Sequence, residues 1–127
     1  MDISSMEALS AAVGLVFQFP ERHFLASTVL GELTFAWPRG SEHHEYRLNL
    51  SARLQSALQA VGMSDVDLEC QVGALSGGYQ RRLALALQIM RGARLLLLDE
   101  PLSGLDWKTR AELVPLLNRL KQQQALL

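Results

Sequence analysis

The pattern of apolar positions along the chain predicts two buried strands. The run Val13–Phe17 combines β-branched and aromatic residues, and Pro20 ends it because proline cannot continue a strand ladder. The run Leu95–Leu98 is apolar at every position, which is typical of a central parallel strand covered on both faces. The chain between these runs is predicted to be mainly helical.

Two helices are predicted in the first half of that excursion. Ser27 or Thr28 is expected to cap a short helix that runs through Phe35. The polar segment 40–47 is interpreted as a surface loop. A longer helix then carries apolar residues at helical spacing and stops at Gly62. Its apolar face consists of Leu50, Leu54, Leu58 and Val61.

Two further helices flank the second strand. The first begins near Ser76 and ends at Gly92, with Leu83, Leu87 and Met90 on one face. The second follows a predicted cap at Asp106, and Pro115 inside it is expected to kink it or mark an irregularity. Its apolar side carries Leu113, Leu116, Leu117 and Leu120.

The order strand, helices, strand, helix indicates an α/β fold. Two strands cannot by themselves form a stable parallel sheet with both faces covered. We therefore expect the chain to be part of a larger α/β domain.

Composition narrows the possible partners. The 127 residues are 49% hydrophobic and 20% charged, as in soluble globular proteins, and the net charge is -1. Without a basic run, neither nucleic acid nor an anionic lipid surface is predicted as a partner. A single cysteine excludes a disulfide framework. No apolar run is long enough to span a bilayer, and residues 1–14 lack the basic residues of a signal or transit peptide.

The segment Leu75–Gln80 is the first candidate for chemistry. Ser76 is a good helix cap, and Gly77 and Gly78 leave the first backbone N–H groups of the helix unshielded. Such a terminus attracts a phosphate through its N–H groups and the helix dipole. A plain capped helix after a glycine turn explains the segment equally well.

The second candidate is the pair of carboxylates that follows the apolar strand. Asp99 and Glu100 are placed at the carboxyl edge of the sheet, where α/β proteins bind ligands. Asp99 would hold Mg²⁺, directly or through water, and Glu100 would act as general base on an attacking water. Taken alone, a strand that runs into an acidic turn is the stronger interpretation.

Two weaker signals complete the series. Ser103–Asp106 can be an ordinary glycine turn with an Asp cap, and Gln18 can be an ordinary turn residue. The segments Leu75–Gln80, Leu95–Pro101 and Ser103–Asp106 nevertheless occur in a compact, fixed order, which independent accidents would rarely produce.

At this point the sequence resembles the nucleotide-binding domain of ABC ATPases. Leu75–Gln80 is similar to the ABC signature, Leu95–Asp99 to Walker B and Glu100 to the catalytic glutamate. Ser103–Asp106 resembles the D-loop, and Gln18 the Q-loop glutamine. The resemblance implies a partial P-loop NTPase fold with a helical subdomain, and ATP and Mg²⁺ as cofactors. It implies nucleotide contacts by Ser76, Gly77, Gly78, Gln80, Gln18 and Asp106, metal contacts by Asp99 and Gln18, and catalysis by Glu100.

The resemblance also implies an organisation in three parts. Residues 1–18 would be a remnant of the α/β core ending in the Q-loop, 19–92 a helical and signature subdomain, and 93–127 a core segment with Walker B and D-loop. Phe17–Glu21 and Gly31–Phe35 are similar to the ATPases of cobalt- and vitamin-type energy-coupling importers and their plastid relatives.

One element of the family pattern is absent from the 127 residues. No Gly-x-x-x-x-Gly-Lys-[Ser/Thr] occurs, so the Walker A loop that cradles the phosphates is not present in this sequence. The family's switch histidine also has no counterpart, since His23, His43 and His44 precede the signature and are interpreted as surface residues. Ser76, Gly77 and Gly78 would then contact a nucleotide held by a second ABC ATPase domain. We expect this chain not to hydrolyse ATP by itself.

The leading expectation is a fragment of an ABC transporter ATP-binding subunit, which powers transport through a transmembrane partner. It would lie peripherally at the cytoplasmic face of a membrane, or in a plastid. Two alternatives remain open: a catalytically silent partner that lends its signature to a complete ABC ATPase, and a soluble non-transport ABC ATPase. Co-purification with a membrane protein or with a full-length ATPase would distinguish them.

Overall fold

The computed structural model describes residues 13–16, 24–34, 44–90, 95–123 and 125–126. In chain order its elements are β1 (Val13–Val16), α1 (Val29–Thr34), α2 (His44–Ala60), a one-turn 3₁₀ helix (Val72–Ala74), α3 (Gly77–Met90), β2 (Leu95–Leu98), α4 (Trp107–Gln123) and β3 (Ala125–Leu126). Among the described helices, none is long and apolar enough to cross a membrane.

The described strands form a parallel sheet in the order β1-β2-β3. β1 and β2 pair over their full lengths, so that Val16 lies opposite Leu98. The backbone N–H of Asp99 donates to the carbonyl oxygen of Val16 at 2.9 Å and continues this pairing by one residue. This bond places the acidic pair at the carboxyl edge of the sheet, as predicted.

The core lies where α3 packs against the sheet and the other helices. Leu83 and Ala86 of α3 and Leu96 of β2 are fully buried. The predicted apolar faces of α2 and α4 also point inward. Leu117 is half-buried, and the other predicted positions are buried: Leu50, Leu54, Leu58, Val61, Leu113, Leu116 and Leu120. One hydrophobic cluster joins residues of β1, all four helices and β2. Burial of these periodic stripes is what holds the helices on the sheet.

Three of the predicted caps are present. Thr28 Oγ1 accepts the N–H of Gly31 at 3.0 Å, Ser76 Oγ that of Tyr79 at 3.2 Å, and Asp106 Oδ1 that of Thr109 at 2.7 Å. Each bond satisfies an N–H group that has no partner within its own helix. Just after the C-terminal end of α2, Gly62 has a φ of 74°, a conformation that glycine adopts without strain and that commonly ends helices.

The structure corrects the sequence prediction in two places. Segment 40–47 was predicted to be a loop, but α2 begins at His44, within that segment. The polar residues there extend the helix by a turn that precedes its apolar face, so periodicity gave no signal. A third strand, β3, was not foreseen, because it is only two residues long. At Pro115 the helix does not end; α4 continues to Gln123.

Candidate functional site

The N-terminus of α3 is an exposed, capped helix end. Ser76 and Gly77 are exposed, while Gly78 is buried. The Ser76 hydroxyl accepts the N–H of Tyr79, and its carbonyl oxygen accepts that of Gln80 at 2.9 Å. The N–H groups of the first residues of a helix have no intrahelical partner, and the helix dipole is positive at this end. The arrangement suits an anionic ligand approaching from outside the chain.

The two glycines of this segment have different surroundings. A Cβ on Gly78 would lie 2.6 Å from Thr109 Cγ2 in the first turn of α4, which is closer than two carbon atoms can approach. A Cβ on Gly77 would lie 3.4 Å from Leu105 Cδ2, an ordinary contact. Gly78 is therefore required by the close packing of α3 against α4, whereas Gly77 leaves the helix end open to solvent.

The acidic pair follows β2 on the same edge of the sheet. Both Asp99 and Glu100 are exposed. The carbonyl oxygen of Glu100 accepts the N–H of Ser103 at 3.1 Å, which closes a turn over Glu100–Ser103, here called the Glu100 turn. Glu100 has a φ of 44°, in the left-handed region that residues other than glycine rarely adopt. Such backbone conformations concentrate at functional sites.

Arg81 joins these two regions. It lies on α3 and is only 7% exposed. Its guanidinium donates to the carbonyl oxygen of Pro101 at 2.5 Å and to that of Ser103. Sequence reasoning missed this residue. The sequence feature that could have revealed it is the position of this arginine one helical turn before Leu85, on the apolar face of α3.

Two other predicted residues have local partners. The side-chain amide of Gln80 donates to the carbonyl oxygen of Val72 at 3.2 Å and ties α3 to the 3₁₀ turn. Asp106 caps α4, and its bonds to the backbone and hydroxyl of Thr109 lower the pKa of its carboxyl below the ordinary value. Gln18 lies outside the described residues, as do His23 and His43.

The structure thus brings together the start of α3, the Glu100 turn and the segment 103–106. The carboxylates of Asp99 and Glu100 supply the oxygen ligands that Mg²⁺ prefers. Among the described residues, no group of three or more His, Cys, Asp or Glu side chains comes together as a metal site. A magnesium ion at the carboxyl edge would therefore need further ligands, and phosphate oxygens commonly supply them.

Comparison with known proteins identifies similar sequences. The family model described as ABC transporter matches residues 1–103. Over 115 residues the chain is 50% identical to the ABC transporter I family member 11, chloroplastic, of Arabidopsis thaliana, covering 91% of this chain and 41% of the relative. It is 38% identical over 117 residues to the energy-coupling factor transporter ATP-binding protein EcfA2 of Streptococcus pyogenes, covering 92% and 41%. The chain spans about two fifths of the length of these curated relatives.

A solved structure has the same fold. The chain matches cbiO1 from Clostridium perfringens, described as part of the ABC transporter complex cbiONQ, with a TM-score of 0.79 and 23% identity. The match covers 97% of this chain and 47% of that chain. The likeness confirms the predicted fold class, because the chain corresponds to part of that larger α/β domain.

Proposed function

Because the chain belongs to the ABC transporter family, we propose that it is the signature-bearing part of an ATP-binding transporter subunit. The observation that carries this proposal is the exposed start of α3, which lies against the segment 103–106 through Leu105 and is joined to the Glu100 turn through Arg81. In the proposed complex, two ABC ATPase domains enclose two nucleotides between them, as in a sandwich. The start of α3 would face one nucleotide and the Glu100 turn the other, and the contacts of Arg81 and Leu105 support the proposal because they join these two elements.

Each residue has a defined role in the proposed mechanism. The Ser76 hydroxyl and the backbone N–H groups of Gly77 and Gly78 contact the γ-phosphate of an ATP molecule held by a second ABC ATPase domain. These donors stabilise the charge that develops on the transferred phosphoryl group. They carry out no proton transfer themselves.

Asp99 and Glu100 would serve the other nucleotide, which is bound on the same side as β2 by a Walker A loop that these 127 residues do not contain. Asp99, together with Gln18, would hold Mg²⁺, which neutralises phosphate charge when bound. Glu100 orients and deprotonates the attacking water, and its exposed carboxylate leaves room for that water. Gln80 and Asp106 hold the start of α3 and the start of α4 in place beside the nucleotide.

We base the proposed partners on the similar proteins. ATP-binding proteins of energy-coupling factor transporters and a chloroplastic ABC transporter protein support a complex with a transmembrane subunit. We propose a peripheral location on such a complex, and the Arabidopsis relative favours a plastid membrane. The division into residues 1–18, 19–92 and 93–127 stays a prediction, and the three parts share one hydrophobic cluster.

Nucleotide-dependent association tests the proposal. The chain is mixed with the full-length Arabidopsis relative, and sedimentation velocity is measured with MgATP or with MgADP. We expect MgATP to promote a complex and MgADP not to, because only ATP offers a γ-phosphate to Ser76. Ser76→Arg should abolish the complex, since its side chain fills the exposed helix end.

Ser64→Arg is the matched control. Ser64 is also exposed, in the connection between α2 and the 3₁₀ turn, and is not placed at the nucleotide. Its variant should associate like the wild type. Association that is equal with ATP and ADP, or equal in the two arginine variants, would contradict the proposal.

A further inference from the structure

A buried arginine links the helix that begins at Ser76 to the turn that begins at Glu100. The guanidinium of Arg81 donates to two carbonyl oxygens, of Pro101 and of Ser103, and these lie one and three residues after Glu100. Arg81 follows Ser76 by five residues, which corresponds to about 7.5 Å along a helix axis. One side chain of the helix that begins beside Ser76 therefore bonds to the turn that carries Glu100.

The surroundings of Arg81 make this link rigid. A small space of about 10 Å³ lies beside the guanidinium and is lined by Leu85, Leu98 and Leu117. Such a space holds about one water molecule at most, so the guanidinium is closely packed on this apolar side. A buried cation also requires its hydrogen-bond partners, because an unpaired one is very unfavourable. The turn and the guanidinium are therefore fixed relative to each other.

The backbone of Glu100 needs such a constraint. Its φ of 44° is sparsely populated for a residue with a side chain, and the following Pro101 restricts it further. Strained conformations persist only where the surrounding structure over-determines them. The bonds from Arg81 fix the residues directly after Glu100 and supply that constraint from α3.

We propose that Arg81 is a positioning residue that couples the orientation of the Glu100 carboxylate to the position of the start of α3. The coupling rests on the proposed function, since it acts when Ser76 engages a nucleotide held by the second ABC ATPase domain. Engagement of that nucleotide then sets the position of the general base that serves the other nucleotide. The two active sites of the sandwich are thereby linked within one chain.

The first experiment tests the link itself, without nucleotide. Hydrogen exchange is measured at the backbone N–H of Ser103, which bonds to Glu100, in Arg81→Met, Arg81→Lys and Arg82→Met variants. Arg82 is the matched control: it is the next residue on α3 and donates to a carbonyl oxygen, that of Val61 at 2.9 Å, away from the turn.

After correction for global stability measured by urea unfolding, Arg81→Met should speed exchange at Ser103 about tenfold, the scale expected for a lost charged hydrogen bond. Arg81→Lys, which keeps the charge but not the forked geometry, should give a smaller increase, and Arg82→Met none. Equal local exchange in all variants, or the same increase in Arg82→Met, would overturn the link.

The second experiment tests the coupling. The same exchange is measured after addition of the full-length Arabidopsis relative with MgATP. In the wild type we expect slower exchange at Ser103; in Arg81→Met we expect association without this slowing. If the variant associates and slows as the wild type does, or if the wild type associates and does not slow, the coupling is wrong. If the wild type does not associate at all, the proposed function fails with it, and the first experiment still decides the link.

Discussion

Substitution of Gly78 by alanine tests the packing that positions the candidate phosphate contact. The added Cβ would lie 2.6 Å from Thr109 Cγ2 and 4.0 Å from Thr109 Cβ, so α3 and α4 would have to separate or Thr109 would have to rotate. Rotation is resisted because Thr109 is β-branched and its hydroxyl bonds to Asp106.

Two opposing effects set the magnitude. Alanine in place of glycine within a helix stabilises it by about 0.5–1 kcal/mol. Overpacking at a contact as close as this one destabilises by about 1–3 kcal/mol. The second effect is larger, and we expect Gly78→Ala to lower the free energy of unfolding by about 1 kcal/mol.

Two companion variants isolate the cause. Gly77→Ala adds the same atom one residue earlier, where the nearest contact of 3.4 Å is tolerated, and it should leave stability unchanged or slightly raised. Thr109→Ser removes the obstructing methyl group and keeps the hydroxyl that bonds to Asp106. In the double variant the loss caused by Gly78→Ala should therefore largely disappear.

The assay is urea unfolding followed by circular dichroism at 222 nm for the wild type, the three single variants and the double variant. A Gly78→Ala variant at least as stable as Gly77→Ala would refute the close contact between Gly78 and Thr109. This contact is also refuted if Thr109→Ser does not relieve the loss, because the effects of the two sites would then be additive.

Three further predictions concern other described residues. Glu32 is buried, and its carboxylate accepts two backbone N–H groups at 2.8 Å and 2.7 Å. In the same urea assay, Glu32→Ala should lower the free energy of unfolding by about 2–3 kcal/mol, and Glu32→Gln should lower it by less. Glu100→Gly should raise stability by about 1 kcal/mol, because glycine adopts a positive φ without strain, while any ATP turnover in the sandwich is lost. Folding lowers the pKa of Asp106 from 3.8. The stability that its carboxylate adds to the fold is therefore complete above pH 3.8 and is lost as the pH falls through the lower pKa of the folded state. When unfolding is measured against pH, Asp106→Asn should reduce this loss of stability at acid pH.

Local signals made much of the fold predictable. The apolar stripes of α2 and α4, the run Leu95–Leu98 and the caps at Ser76 and Asp106 each depend on residues within one helix, one strand or one helix end. The polar first turn of α2 and the two-residue strand β3 carry no periodicity, so no pattern could reveal them. Elements with a local sequence pattern were therefore predicted, and elements without one were not.

The sequence predicted single residues of the candidate site, but it did not predict the contacts that join them. Asp99 and Glu100 could be placed at the carboxyl edge because a strand precedes them. The bonds from Arg81 to the Glu100 turn and the close approach of Gly78 to Thr109 join residues more than fifteen positions apart, so they depend on tertiary packing. No local sequence pattern encodes the positive φ of Glu100.

The most direct test of the central claim identifies which residue contacts the γ-phosphate. The chain and the full-length Arabidopsis relative are incubated with MgADP and vanadate, which occupies the position of the γ-phosphate, and are then irradiated so that the trapped vanadate cleaves the adjacent backbone. The account predicts cleavage of this chain at Ser76, only when the relative is present. Cleavage of the relative alone, or cleavage of this chain at another residue, would contradict the claim that Ser76 completes a site on a second subunit.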